Sequence, residues 1–333
     1  MKISKYKRQK TINKWKVSER IMVIIGVLMC LIGVVLVYWN IPFSPMHSQF
    51  SKEMGKRAEQ TNDMGNELCT REEIDKLPQC LREYCDYIGL EGTKKRYAYH
   101  TYFYDVDFLF DESKGVKIKM DYDLWTFTDK AYRQAFCKAK MYGIPFEGVD
   151  YLETDALEGN DLEENALEEN ELKTNDNSNG LKNSKSSYGG MKGYLAKAFQ
   201  IFDTPVENIR EAALITIMGE GAALNPSILL LQDITYEELD SERAKATYTY
   251  KGVKGSGIFI FDKDENVLAF ESDERQPDEE RDGKLVSVGW RCEGSDFQRK
   301  DGMLLPQETK AIKIYPDKDV VYFDAKKYDV TYY

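Results

Sequence analysis

Residues 95–110 read KRYAYHTYFYDVDFLF, and along them the repeat of the chain is two. Tyr97, Tyr99, Thr101 and Phe103 would share one face of a strand, and Ala98, His100, Tyr102 and Tyr104 the other. Aromatic side chains at that period favour a pleated surface, and apolar groups on both parities predict a strand covered on both faces. Asp111 to Gly115 (DESKG) reads as a turn, after which Val116, Ile118, Met120 and Tyr122 alternate in the next strand. Shorter strands are expected over 124–127, 135–142 and 147–152. After Glu237, ATYTY, GSGIFIF and NVLAFES form a meander; 285–290 follows, and strands over 308–315 and 320–333 end the chain.

A helical repeat is confined to two places. Leu77-Pro78 opens a helix that runs through QCLREYCDYI to Gly89, with Leu81, Cys85 and Ile88 on its apolar side. Thr204-Pro205-Val206-Glu207 has the form of a capping box, and Ile209, Ala213 and Ile217 would line the buried face of the helix it starts. Asn225-Pro226 begins a second short helix through SILLL. These elements predict an α+β fold: one large, curved antiparallel sheet of about ten strands, a half-barrel, with the 78–88 and 204–231 helices packed on one face.

Upstream, Ile21 to Tyr38 holds eighteen residues without a charge. As a helix it would be about 27 Å long, near the ~30 Å of bilayer hydrocarbon, and no small-x-small cleavage site follows it. Residues 21–39 are therefore expected to be an uncleaved single transmembrane anchor. Residues 1–20 carry a net +7, which by the positive-inside bias keeps the N-terminus cytoplasmic and places the C-terminal domain outside a bacterial cell membrane. Gly26 and Gly33 share one face of the anchor, but glycine is common in such helices, so a dimer face there is the weaker reading and the oligomeric state is left open.

The whole chain carries −11, so residues 21–333 carry −18. Such a surface repels phosphate backbones and excludes nucleic acid as a partner; the bilayer is the partner the anchor implies. Residues 40–76 are polar and without sustained period, which predicts a stalk leading to a domain over 77–333. That domain is interrupted over 153–187, where ALEGN, DLEEN, ALEEN and ELKTN repeat every five residues. Five matches neither strand nor helix, and eleven acids stand against Lys173 between Asp150 and Asp176, so an acidic disordered insertion is expected.

Five cysteines lie beyond the anchor, an odd number with no CxxC, and Cys80 and Cys85 on one helix would hold their Cα atoms about 8.6 Å apart, too far to bridge. Buried free thiols are expected, with no metal site and no cofactor. The only histidines are His47, in the stalk, and His100, in the aromatic strand, so no triad can be assembled around them and a stacked structural role is expected for His100. Gly252, Gly255 and Gly257 read as turn or bulge glycines between strands, and Asp262-Lys263-Asp264-Glu265-Asn266 as a hairpin turn rather than a calcium loop. Asp273 and Arg275 share strand parity; they are read either as a partly buried pair or as an exposed strand end.

Leu77-Pro78 with Arg82, Tyr84 and Gly89, then Asp150-Tyr151, Gly190-Met191, Glu220, Pro226, the run Phe270 to Arg275 (FESDER), Trp290 and Asp301 to Pro306 (DGMLLP) resemble, in that order, an uncharacterised bacterial family catalogued as a domain of unknown function. The resemblance covers about 77–333, and the chain departs from it at Ile312 to Ile314, where a tryptophan is often found. The family pattern is similar to the lipoprotein-carrier fold, whose concave face holds acyl chains. This implies a membrane-anchored, non-enzymatic module for a lipid-like or amphipathic ligand, with Trp125 and Trp290 as wall residues and Glu220, Asp273 and Arg275 at a polar mouth. A carboxylate-dependent envelope hydrolase and a purely structural envelope protein are the alternatives.

Overall fold

The computed structural model describes residues 2–61, 67–152, 189–205, 209–275, 279–281, 283–300 and 302–333. The expected insertion over 153–187 lies outside the described residues. The chain divides into two units, Met1–Ser48 and Gln49–Tyr333. In the first, helix α1 (Lys2–Asn40) contains the apolar run and is long and apolar enough to cross a membrane.

The second unit is built on a fourteen-stranded sheet in which every pairing is antiparallel. Its first half comprises β1 (Ala98–Asp111), β2 (Val116–Phe127), β3 (Tyr132–Met141), β4 (Ile144–Leu152), β5 (Gly189–Leu195) and β6 (Phe199–Pro205). The second half comprises β7 (Ile234–Glu238), β8 (Arg243–Tyr250), β9 (Val253–Asp262), β10 (Val267–Ser272), β13 (Gly289–Lys300), β14 (Met303–Ile314), β15 (Asp319–Ala325) and β16 (Tyr328–Tyr332). A separate ribbon pairs β11 (Glu279–Arg281) with β12 (Lys284–Val286). The sheet order is β6-β5-β4-β3-β2-β1-β15-β14-β13-β10-β9-β8-β7, with β16 also on β1. The α+β class holds, with more strands than expected: β5, β6 and β7 were not foreseen, and the single expected strand over 320–333 is two.

The aromatic strand β1 accounts for that last difference. Its register slips between Phe103 and Val106, where Asp105 takes a positive φ of 52°. Before the bulge Tyr99 to Phe103 pair with β16; after it Asp107 and Phe108 pair with β15. The bulge also resets parity. Tyr99, Thr101 and Phe103 are buried on one face, and past the bulge Val106 is buried on that same face, followed by Phe108. The buried stripe therefore changes parity at Asp105, and before it the other face is covered as well, as expected: Ala98 is buried opposite Phe127, and His100 stacks on the buried Trp125.

Helix α2 (Pro45–Thr61) occupies much of the stretch expected to be a polar stalk. Phe50, Met54, Ala58 and Thr61 recur every three or four residues and are buried, Phe50 lying 5.6 Å from the Phe136 ring and Arg57 4.7 Å over Tyr132. Its polar composition hid a narrow apolar stripe. A further turn, α3 (Arg71–Ile74), closes on Thr70 with a full capping box, ahead of the expected domain start at Leu77.

Two helices pack on the sheet. α4 (Gln79–Ile88) is capped by left-handed Gly89 and buries Cys80, Leu81, Tyr84, Cys85 and Ile88. The second, α5 (Ile209–Leu224), starts later than the Thr204 capping box predicts, because Thr204 and Pro205 finish β6. From Leu214 onward every side but Glu220 is buried, so its burial is all round rather than on the expected stripe. Its last carbonyls are satisfied by tyrosines: Tyr84 Oη donates to Ala222 O at 2.8 Å and Tyr332 Oη to Leu224 O at 2.7 Å. A short 3-10 helix, Pro226–Leu230, follows as expected.

Candidate functional site

The sheet register lays out one face of a cavity. Tyr122, Cys137, Gly148, Gly193 and Phe202 stand opposite one another across β2 to β6, and beside them run Met120, Ala139 and Phe146. At Gly193 any Cβ would lie 2.2 Å from the Phe202 ring, so glycine there lets the phenylalanine lie flat over the strand. Phe146 links this wall to both ends, 6.0 Å from the Phe110 ring and 6.3 Å from Phe202. Across from it, Ala311, Tyr322 and Phe323 of β14 and β15 close a cavity of about 200 Å³. Two lining side chains, Phe110 at 38% and Met191 at 42% exposed, mark where it meets solvent.

The polar end of the cavity is a network on Arg133. This guanidinium, in β3, donates from Nε and Nη2 to the two oxygens of Glu220 at 2.8 and 2.9 Å, from Nη1 to Asp150 Oδ2 at 2.7 Å and from Nη2 to Tyr122 Oη at 3.1 Å. Its side chain is only 10% exposed. Burial works against its charge, and Glu220, Tyr122 and Asp150 outweigh that, so its pKa is raised well above the ordinary arginine value. Burial in turn pushes the Tyr122 phenol up, with Arg133 opposing, so it stays protonated.

Arg275 is the second cation on the cavity wall. Its Nε donates to Thr216 Oγ1 of α5 at 2.6 Å, and its guanidinium lies 4.4 Å over the ring of Trp290. Trp290 is fully buried, donates from Nε1 to Tyr322 Oη at 2.9 Å, and meets Gly219, where a Cβ would lie 3.2 Å from its ring. Among the described residues no carboxylate pairs with Arg275, and its Nη atoms have no hydrogen-bond partner.

Of the five residues singled out from sequence, Glu220 and Arg275 line the cavity, and Trp290 supports Arg275 from behind. Asp273 does not join them: β10 ends at Ser272, whose Oγ accepts from Glu274 N, so shared strand parity no longer applies and Asp273 is exposed. Trp125 lies elsewhere, stacked 4.3 Å on His100 and 5.3 Å on Tyr333. His100 also bonds Asp123 at 2.7 Å, in the structural role expected for it. The cysteines beyond the anchor are all buried thiols outside any disulfide, and among the described residues no cluster has the makings of a metal site. Gly252 makes the expected turn, whereas Gly255 and Gly257 instead admit α5 and the Phe270 ring against β9. Arg133, Asp150 and Tyr122 were missed. A lone arginine on the apolar parity of β3, beside Ala135 and Cys137, was the signal available.

A family of unknown function, DUF6544, matches residues 67–158 and 178–325, more than half of the chain. The chain belongs to DUF6544. The match takes in α3 through the end of β15, so the cavity and both arginines belong to the matched region, and it skips 159–177 in the acidic insertion. No curated protein and no solved structure matches the chain. The likeness to the lipoprotein-carrier fold therefore gains no support from a solved structure.

Proposed function

We propose that this chain is a membrane-tethered binding module that takes an apolar or amphipathic ligand into the aromatic cavity, with its polar part at Arg275. The observation that carries this reading is a cavity of about 200 Å³, walled by aromatic rings, that ends on a guanidinium held in place yet unpaired among the described residues. A cavity with an apolar wall and a few convergent polar groups is the common form of a small-molecule site. Glu220 sits at the same end but is occupied by Arg133, and Trp290 acts by holding Arg275; Asp273 and Trp125 take no part. Both carboxylates that line the cavity, Glu220 and Asp150, bond Arg133, which leaves the hydrolase reading without an observation in its favour.

In this reading the sheet is a half-barrel. Ile215 of α5 meets β9 at Gly255, while Glu220, about 7.5 Å further along the helix, meets Arg133 of β3. On a flat sheet β3 and β9, seven strands apart in the order, would be separated by about 34 Å. The two side chains cannot span that difference, which favours a sheet bent around the helix. The tether is α1, with residues 1–20 in the cytoplasm and the sheet domain outside. Reporter fusions after residues 60 and 333 test this topology, and activity of cytoplasm-only reporters at both points would overturn it.

Uptake is tested on the full chain in nanodiscs with an unlabelled medium-chain acyl probe small enough for the cavity, read by native mass spectrometry. Arg275→Ala is expected to weaken uptake more than it lowers thermal stability. No uptake by the unaltered protein would contradict the binding role.

A further inference from the structure

We infer that the ligand is a monocarboxylate with a compact apolar body, its carboxylate held by the Nη groups of Arg275; this rests on the binding role proposed above. The charge inventory of the cavity limits the head group. Arg133 has committed Nε, Nη1 and Nη2 to Glu220, Asp150 and Tyr122, so it offers no free fork to an incoming anion. Among the described residues Arg275 has spent only Nε, on Thr216, and the buried Trp290 ring lies 4.4 Å beneath its guanidinium. A planar, two-donor edge matches the two oxygens of a carboxylate. A second negative charge would face Glu220 and Asp150 across the cavity, with Arg133 alone already serving both. A dianion such as a phosphate monoester is therefore disfavoured, and a neutral head group forgoes the one open cation among the described lining residues.

Volume limits the body. An apolar cavity of about 150 Å³ holds benzene, so about 200 Å³ holds a single substituted ring or a chain of roughly eight carbons. A long membrane acyl chain would have to leave through the opening at Phe110 and Met191 and lie in water. The size separates two sources of the same head group, a short soluble carboxylate and a fatty acid drawn from the bilayer, in favour of the first.

The experiment is native mass spectrometry of the full chain in nanodiscs of zwitterionic lipid, titrated with octanoate, octanol, octyl phosphate and hexadecanoate. Octanoate is expected to bind at least tenfold more tightly than each of the others. Arg275→Gln should bring octanoate down to the level of octanol, and Arg275→Lys should restore part of the difference; thermal melts of both variants show whether the fold is kept. Equal binding of octanoate and octanol would overturn the monoanion inference while the apolar cavity reading stands. Tighter binding of octyl phosphate would overturn the single-charge inference, and tighter binding of hexadecanoate the compact body. If none of the four binds, the inference falls together with the binding role.

Discussion

Arg133 and Glu220 are joined by two hydrogen bonds of 2.8 and 2.9 Å, one strand of the sheet held to the helix that lies on it. Pairs this enclosed are sensitive to the loss of one partner, because the other is left as an uncompensated buried charge. Arg133→Met is expected to cost about 3–5 kcal/mol in urea denaturation. Adding Glu220→Leu to it should recover a large part of that loss. A double variant no more stable than the single one would show that the pair is not what Arg133→Met breaks.

The position of Arg275 depends on Trp290, and that of Trp290 on a glycine. A Cβ at Gly219 would lie 2.9 Å from Phe270 and 3.2 Å from Trp290, both deep in the core. Gly219→Ala should therefore cost about 1–3 kcal/mol through overpacking and also weaken probe uptake by shifting the ring under Arg275. A variant with wild-type stability and uptake would contradict the packing described.

Helix α2 is expected to matter to the sheet domain. Met54 is almost fully buried, and Met54→Ala should destabilise the domain by roughly 2–5 kcal/mol. In thermal melts of the full chain this variant is compared with a substitution at exposed Glu59 on the same helix. Equal effects at the two positions would return the segment to the role of a passive stalk.

The buried thiols give the domain a limit on the alkaline side. Burial pushes Cys80 up to about 11 and Cys137 up to about 12, from an ordinary value of 9.0, and raises Cys69, Cys85 and Cys292 as well. Each folded value lies above the unfolded one, so this contribution is whole below pH 9.0 and is lost as pH rises through about 11 to 12. Denaturation midpoints should fall between pH 9 and 11. Cys80→Ala with Cys137→Ala should fall less steeply, and an identical slope would contradict the assignment.

Much of the fold was legible in the residues that obey one period. The alternation of residues 95–103, the QCLREYCDYI helix with Gly89 and the GSGIFIF meander all led to the right element, because each agrees locally with its place in the whole. What stayed hidden were positions where a tertiary constraint overrides local pattern. The bulge at Asp105 moves the buried stripe from odd to even positions, which strict alternation cannot show. Pro205 ends a strand instead of starting a helix. In the site, Glu220 and Arg275 lie in family motifs, whereas no motif in the sequence marks Arg133: its carboxylate partners are 17 and 87 residues away, and no spacing announces them.

The aromatic cavity is expected to receive a small carboxylate through Arg275. A crystal structure of the protein soaked with 8-bromooctanoate, in which the bromine is located by its anomalous signal, tests this binding. A bromine peak is expected among Phe108, Phe146 and Phe202, with the carboxylate about 2.7–2.9 Å from the Arg275 Nη atoms. Side chains filling the cavity, or a cavity free of bromine at saturating ligand, would contradict it.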